Sequence, residues 1–386
     1  MKILIAVPDT GVGGVTTSAV NFSNELTSRG HEVHFLDMSG ANACRDRLNE
    51  KVILCSLIGK SRLWNISANG LKSVKGLKKL AVLALGAVKK LTIRHGLWYK
   101  LIFGEFNKGE SFDVAIAFRQ CAPCYSFVLN KVNAKKKIGF VHGELTYMGD
   151  ISSWKKFMTR FDKIAYVSNA VKEQFVKAYP ELSANACTIY NTFDIEQIRA
   201  LANESCDVKF DENKVNIVTV SRIENTQKQI QRIVSICREI KNKTAMPFHW
   251  YVVGDGPDYE EAVSLAKELG VEDVISFVGS RQNPYPYIRQ CDFTALTSIS
   301  EAYGMVVVES FVLNKPAVVS EYPAIYEIME NGKQGLIAEQ SVESLTKCVK
   351  DMVDNKDGVR EMFEKNILNS EINNEVAYMQ FLESIK

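Results

Sequence analysis

No acidic residue stands between Glu50 and Glu105 of this 386-residue chain. All charge in that interval is positive, including Lys60, Arg62, Lys72, Lys75, Lys78, Lys79, Lys89, Lys90, Arg94 and Lys100, and it is interleaved with leucines and with Trp64, Trp98 and Tyr99. The central apolar run, Leu80 to Val88, is pinned between lysine pairs, far short of the roughly 20 residues that a membrane-spanning helix needs. That excludes a span. A basic amphipathic segment with aromatic residues suits the surface of an anionic leaflet, each basic residue adding about 1 kcal/mol, so peripheral membrane contact through residues 60–100 is expected. The competing expectation is a helix packed on its own domain with a solvated lysine face. No nucleic-acid reading motif accompanies the charge, and a net charge of +2 offers no global attraction for nucleic acid.

A cysteine framework is also missing. The nine cysteines are odd in number and scattered, and Met1-Lys2 runs directly into a strand-like segment rather than a secretory signal. The expectation is a reduced, cytoplasmic chain working at the inner face of the cell membrane. Cys121-Ala122-Pro123-Cys124 has redox or zinc spacing but no second pair to complete a metal site, so a structural or incidental role is expected for it. No Asp-x-Asp pattern ends a strand where a metal-bridged phosphate would sit, so no metal is expected.

What is present begins with length. A chain of this size suggests two domains, and 46% apolar with 24% charged residues is ordinary for a globular protein. Lys2 to Val7 reads as a buried strand, Pro8 to Gly14 as a glycine turn, Val15 to Ser28 as a helix and Glu32 to Leu36 as a second strand. This opening predicts a parallel sheet with ligand at the carboxyl ends of its strands. Gly11, Gly13 and Gly14 offer unhindered backbone there, but a dinucleotide fingerprint would want glycine or alanine where Thr16 stands, even though Asp37 ends the second strand as a ribose-binding acid would. Strands at Phe112 to Phe118, Lys137 to Val141 and Ile164 to Val167 follow, and Thr188 to Phe193 closes the first half. His142 follows the second of these on the ligand-bearing edge, and Ser168 caps a helix.

The same rhythm restarts at Val215 to Val220, with helices near Gln229 to Lys241 and Tyr259 to Leu269 and strands at His249 to Val253, Val274 to Val278 and Asp292 to Leu296. This is a second doubly wound domain. Arg222 and Lys228 occupy its first strand-to-helix loop, and Gly254 and Gly256 its second. After Leu296 the stretch Ser298 to Glu309 runs from loop into helix. Glu301 and Glu309 bracket Gly304 at the first helical turn, where free amides favour an anion. Cations, glycine turns and a helix start on one edge make a diphosphate site. Strands at Ala317 to Ser320 and Gly335 to Ala338, and helices near Ser344 to Val353 and Ala377 to Ile385, finish the chain.

These residues resemble the retaining glycosyltransferases of family four. The likeness rests on Ser221-Arg222 with Lys228, Val253-Gly254-Asp255-Gly256-Pro257, Phe277-Val278-Gly279, Glu301-Ala302-Tyr303-Gly304 with Glu309, and Tyr326-Glu327-Ile328 before Gly332 and Gly335; Gly13-Gly14 and Val167-Ser168 extend it into the first half. It implies an α/β chain of the GT-B fold, with two facing Rossmann-like doubly wound domains and a cleft between them. Residues 1–195 would bind the acceptor, 196–365 the nucleotide sugar, and 366–386 would form a helix returning to the first domain. By the resemblance, Arg222 and Lys228 neutralise the donor diphosphate, Glu309 holds the nucleotide ribose, and Glu301 holds the transferred sugar together with the backbone around Tyr303, Gly304, Met305 and Val306. His142 would touch that sugar beside the reacting centre, Gly13 and Gly14 would let backbone approach the diphosphate or acceptor, and Gly254 and Gly256 would line the donor edge. One departure is visible. The family has four residues between arginine and lysine, and here there are five, Ile223 to Gln227.

The implied activity is metal-independent transfer, with retention, of a hexose or N-acetylhexosamine from a UDP-linked donor to a lipid-linked or polysaccharide acceptor in cell-surface glycan synthesis, with the nucleotide sugar as substrate and no cofactor. Two alternatives share the architecture: a UDP-sugar epimerase, and an idle sugar-nucleotide-binding subunit of an assembly complex. Intact Arg222, Glu301, Glu309 and His142 argue against the idle subunit, and Thr16 argues against a dehydrogenase.

Overall fold

The computed structural model describes residues 1–11, 13–57, 106, 109–355, 358–370 and 372–386; the basic stretch 60–100 lies outside them. The chain divides into two compact units, one of Met1–Thr192 with Asn374–Lys386, the other of Phe193–Asn373.

The first unit is built on a seven-stranded sheet in the order β3-β2-β1-β4-β5-β6-β7. Its strands are β1 (Lys2–Val7), β2 (Glu32–Asp37), β3 (Ile53–Cys55), β4 (Phe112–Ala117), β5 (Ala134–Val141), β6 (Lys163–Tyr166) and β7 (Ala186–Thr188), and every neighbouring pair is parallel. Ile3 to Val7 are all buried, as a run without polar alternation must be when helices cover both faces of a parallel sheet. Of the closing segment Thr188 to Phe193, only Thr188 belongs to a strand. Pairing stops at Thr188, because Asn191 and Thr192 are instead held by the helix Gly14–Ser28, with Ser18 Oγ 2.5 Å from Asn191 Oδ1 and Asn21 donating to the Thr192 carbonyl at 3.1 Å. The closing helix Glu375–Ser384 packs on this unit through Phe381 against Phe22, ring centroids 5.6 Å apart, and Gln380 accepts the Tyr190 amide at 2.9 Å.

The second unit carries a six-stranded parallel sheet in the order β10-β9-β8-β11-β12-β13. Its strands are β8 (Val215–Val220), β9 (Phe248–Val253), β10 (Ile275–Gly279), β11 (Phe293–Leu296), β12 (Ala317–Ser320) and β13 (Gly335–Ala338). Alternate residues face opposite sides. Ile217, Trp250 and Val252 pack with Ile233, Val349 and Phe363, while Val218, Tyr251 and Val253 pack with Ile198, Ile288, Val308 and Val312. Phe193 belongs to the second of these clusters, its ring 6.4 Å from that of Tyr303, so the units part at Thr192 rather than at 195. Helix Val359–Leu368, absent from the sequence reading, belongs here through buried Phe363, which moves the other boundary from 365 to Asn373.

Strand order reverses between β1 and β4 and again between β8 and β11. At such a switch point the loops leaving two adjacent strands diverge, and the crevice outside their carboxyl ends takes ligand.

Candidate functional site

At the switch of the second unit, β8 leads into Ser221 to Lys228 and β11 into Ser298 to Glu301. The extra residue between Arg222 and Lys228 is absorbed by a turn. The Lys228 amide donates to the Glu224 carbonyl at 3.1 Å, the Gln227 amide to Glu224 Oε1 at 3.1 Å, and Gln229 adopts φ 55° before the helix Ile230–Ile240 begins. The turn aims Lys228 at β11. Its Nζ lies 2.5 Å from Glu301 Oε1, an oxygen that also accepts from Ser298 Oγ at 2.8 Å, and the two side chains are 18% and 15% exposed. Gln227 binds this second loop as well, donating to the Ser300 carbonyl at 2.8 Å and accepting the Ile299 amide on its own carbonyl at 2.9 Å.

Arg222 behaves differently. One Nη donates to Glu224 Oε2 at 3.1 Å, but the guanidinium side is 61% exposed while Glu224 is buried. The cation is therefore oriented by a carboxylate and keeps most of its donors toward solvent. Sequence reading paired the two cations on a diphosphate and gave Glu301 to the sugar. The structure pairs Lys228 with Glu301 and leaves Arg222 as the open cation. Glu224 was missed; its only sequence signal is its place in the Arg222–Lys228 loop.

Gly254 and Gly256 serve that loop. A Cβ on Gly254 would stand 1.8 Å from the Ser221 carbonyl oxygen, and one on Gly256 2.1 Å from that of Ile223. With no side chain there, the Ser221 amide reaches the Val253 carbonyl at 3.1 Å and the Ile223 amide that of Asp255 at 2.9 Å. The two glycines thus position Arg222 through backbone contact.

Gly304, at φ 93° and ψ 51°, caps the helix Met305–Val312. The amides of Met305 and Val306 are among those that a helix start leaves without an internal acceptor. Glu309 is buried on this helix, one oxygen 3.4 Å from the hydroxyl of Tyr285, a neighbour the sequence reading also missed. Tyr303 packs on Phe193 just before the cap.

In the first unit, Gly13 and Gly14 open the helix Gly14–Ser28, and no described atom lies within 4 Å of where a Gly13 Cβ would stand beyond its chain neighbours. Thr16, the residue that breaks the dinucleotide fingerprint, closes the loop by donating to the Gly11 carbonyl at 2.7 Å. Asp37 does not offer itself to a ribose. Its two oxygens accept from Thr10 Oγ1, from the amide and hydroxyl of Ser39 and from the Asn42 amide, at 2.6 to 2.8 Å, so its acceptor sites are occupied.

His142 follows β5 as expected. Its amide donates to Gln120 Oε1 at 3.1 Å, and its ring stacks on Phe140 and leans on Phe118. Burial takes the imidazole down to about 3; a bond to the Phe118 carbonyl opposes this, and the Arg119 charge adds to it. It is neutral at physiological pH. Nε2 is buried with no partner among the described residues, and with the other nitrogen donating to Phe118 it is an acceptor for a hydroxyl.

Among the described residues no group of three or more His, Cys, Asp or Glu side chains is arranged to hold a metal ion, and no helix is long and apolar enough to cross a membrane.

The description Glycosyltransferase Family 4 matches residues 12–197, and Glycosyl transferases group 1 matches residues 203–369. The chain is 23% identical over 214 residues to the N-acetyl-alpha-D-glucosaminyl L-malate synthase of Bacillus anthracis, covering 53% of this chain and 54% of that one. It is 28% identical over 167 residues to the N-acetylgalactosamine-N,N'-diacetylbacillosaminyl-diphospho-undecaprenol 4-alpha-N-acetylgalactosaminyltransferase of Campylobacter jejuni, covering 42% and 43%. The chain thus spans about half the length of the curated relatives it matches. Among solved structures, HepE of Anabaena in complex with UDP superposes with a TM-score of 0.67 at 16% identity, over 100% of this chain and 99% of that one. Two parallel doubly wound sheets, with both family descriptions falling in order along nearly the whole chain, place this protein among the GT-B glycosyltransferases, with a Glycosyltransferase Family 4 region followed by a Glycosyl transferases group 1 region.

Proposed function

We propose that the chain transfers a hexose or N-acetylhexosamine from a UDP-linked donor to a lipid-linked or polysaccharide acceptor, with retention of anomeric configuration and without a bound metal, in the synthesis of a cell-surface glycan. The observation that carries this reading is the junction at the β8/β11 switch: an oriented, solvent-facing guanidinium at Arg222, the Lys228–Glu301 pair beside it, and the Gly304-capped helix start on the following loop. Breaking the bond from the sugar's anomeric carbon leaves charge on a nucleoside diphosphate. Fixed positive groups and free amides stabilise that charge as it develops, without having to reorganise. Arg222 takes the diphosphate directly. Lys228 contributes through its hydrogen-bonded partner: a sugar hydroxyl donating to Glu301 frees part of the ammonium for phosphate. Tyr303 and Glu309 flank the helix start, where the base and ribose bind, and in the first unit His142 keeps a neutral imidazole whose Nε2 has no partner among the described residues.

The transferred sugar leaves the diphosphate as the acceptor hydroxyl attacks the same face, and the hydroxyl's proton passes to the departing phosphate oxygen. The undecaprenol-linked acceptor in the Campylobacter relative's name supports a lipid-linked acceptor here, and the UDP in the HepE complex supports a uridine donor. The basic stretch 60–100 is the proposed contact with the inner membrane face.

A thermal-shift and calorimetric panel of nucleoside diphosphates and their sugars tests the donor through ligand-linked stability. UDP and one UDP-sugar should stabilise the chain, and failure of every nucleoside diphosphate to do so would overturn the reading. An inverted anomer in the product by NMR, or loss of turnover with chelator restored by a divalent ion, would remove retention or metal independence. Vesicle co-sedimentation unchanged after neutralising Lys75, Lys78, Lys79, Lys89 and Lys90 would remove the membrane contact.

A further inference from the structure

Donor chemistry leaves one motif of the first unit unused. Beyond β4 the chain passes through Phe118, Arg119 and Gln120 to Cys121, whose extended backbone (φ −159°, ψ 152°) caps the helix Ala122–Lys131, with Pro123 in the first turn. Cys124, three residues on, is buried, and its thiol donates to the Ala6 carbonyl of β1 at 3.3 Å; Cys121 is only half-buried, and both are free thiols. An i,i+3 spacing sets both side chains on one side of a single turn.

We propose that Cys121 and Cys124 are a dithiol–disulfide redox site that reacts with small disulfides, Cys121 attacking and Cys124 resolving. The two thiols are unlike in the sense this requires. Cys124 beside it, first through its side chain, holds Cys121 below the ordinary thiol range; burial opposes this, the Cys124 amide and the Arg119 guanidinium add to it, and Asp9 works against it. Burial first, and then Cys121 itself, push Cys124 well above that range. Arg119 is held there by Asp9 at 2.9 Å. A partly exposed, low-pKa sulfur at a helix start, followed by a buried partner, is the arrangement that favours exchange.

The Cys121 thiolate attacks one sulfur of an external disulfide, whose S–S bond breaks and releases a thiolate that takes up the proton Cys121 gave to solvent. Cys124 then loses its proton and attacks the Cys121 sulfur, breaking the mixed disulfide and expelling the second external thiol. Two protein thiols are oxidised and one external disulfide is reduced to two thiols. Oxidation withdraws the Cys124 donor from Ala6. Gln120, the residue before Cys121, accepts the His142 amide on its carboxamide oxygen at 3.1 Å.

The test incubates the full chain with mixtures of oxidised and reduced glutathione, quenches by alkylation and maps modified cysteines by mass. In the parent, Cys121 and Cys124 should lose alkylation together, recover it with dithiothreitol, and do so at least about tenfold faster than half-buried Cys187 and Cys206 gain glutathione. Cys124→Ser should stop at a glutathione adduct on Cys121. Cys121→Ser, whose serine keeps a helix-capping side chain, should leave Cys124 unmodified, so the proposal stays testable even if the buried Cys124→Ser substitution fails to fold. A pair that stays alkylatable throughout, Cys187 or Cys206 reacting as fast, or a Cys124 adduct forming equally well in Cys121→Ser would each overturn it.

Discussion

Replacing Gly304 by alanine strikes the second unit at its helix cap, and the structure divides the cost into two parts. The residue stands at φ 93° and ψ 51°, and an added Cβ would lie 2.1 Å from the Tyr322 hydroxyl oxygen and 3.2 Å from the ring carbon that carries it. A left-handed conformation costs a residue with a Cβ about 1–2 kcal/mol. Tyr322 is buried, so moving its ring is an overpacking cost of about 1–3 kcal/mol. The sum, roughly 2–5 kcal/mol, should lower the melting temperature of a unit this size by about 5–15 °C. Scanning calorimetry reads the drop, and hydrogen exchange in peptides over Met305–Val312 reads where it acts. Tyr322→Phe separates the parts. In the phenylalanine background the alanine should cost less, by most of the overpacking share, while the left-handed share persists. An alanine variant melting within about 1 °C of the parent, or an equal cost in both backgrounds, would refute the argument, since the clash and the backbone are its only sources.

Arg222→Ala should raise the dissociation constant for UDP about 10- to 100-fold, the loss of a charge-assisted bond, and should also lower stability by about 1–3 kcal/mol, because it leaves the buried Glu224 carboxylate with the Gln227 amide but without its cation; calorimetric titration and a thermal scan check both. Lys228→Met strands the Glu301 carboxylate in a site only 15% exposed and should cost about 2–3 kcal/mol, the partial exposure reducing the penalty for a fully buried charge. Adding Glu301→Gln should restore most of that stability, in denaturant titrations, without restoring UDP affinity. Gly254→Ala should weaken UDP binding although it alters no charge, because it dislodges Ser221 and with it Arg222; affinity equal to the parent's would show that the loop tolerates the 1.8 Å contact. For His142, with a folded pKa of about 3 against an ordinary 6.5, the unfolded chain binds the extra proton below pH 6.5. The stabilisation is complete above that value and is lost as pH falls, by about 1.4 kcal/mol per unit, so moving from pH 7 to 5 should cost about 2 kcal/mol that His142→Gln does not lose.

The sequence alone determined the doubly wound pattern of both units and most of its strands and helices, though β3 and the helices Ala122–Lys131 and Val359–Leu368 escaped it. Parallel strands buried on both faces announce themselves as short apolar runs, and each lies within a few residues of its expected place because periodicity is a property of neighbouring residues. It also marked the loops that carry function, since Arg222, Glu301, Gly304 and His142 follow strand ends that a doubly wound sheet gathers on one edge of its own unit. Only the tertiary structure decided how those groups are used. Lys228 and Glu301 are 73 residues apart and meet because β8 lies beside β11, a neighbour relation that no local pattern encodes. Asp37 looks like a ribose ligand until the loop through Asn42 folds back and fills its oxygens. Gly254 and Gly256 look like ligand-facing glycines until the Ser221 and Ile223 carbonyls are seen against them. Which unit Phe193 and Phe363 join likewise depends on packing partners far along the chain. Secondary structure follows from local chemistry, whereas the state of a charge or the need for a glycine follows from what the fold brings against it.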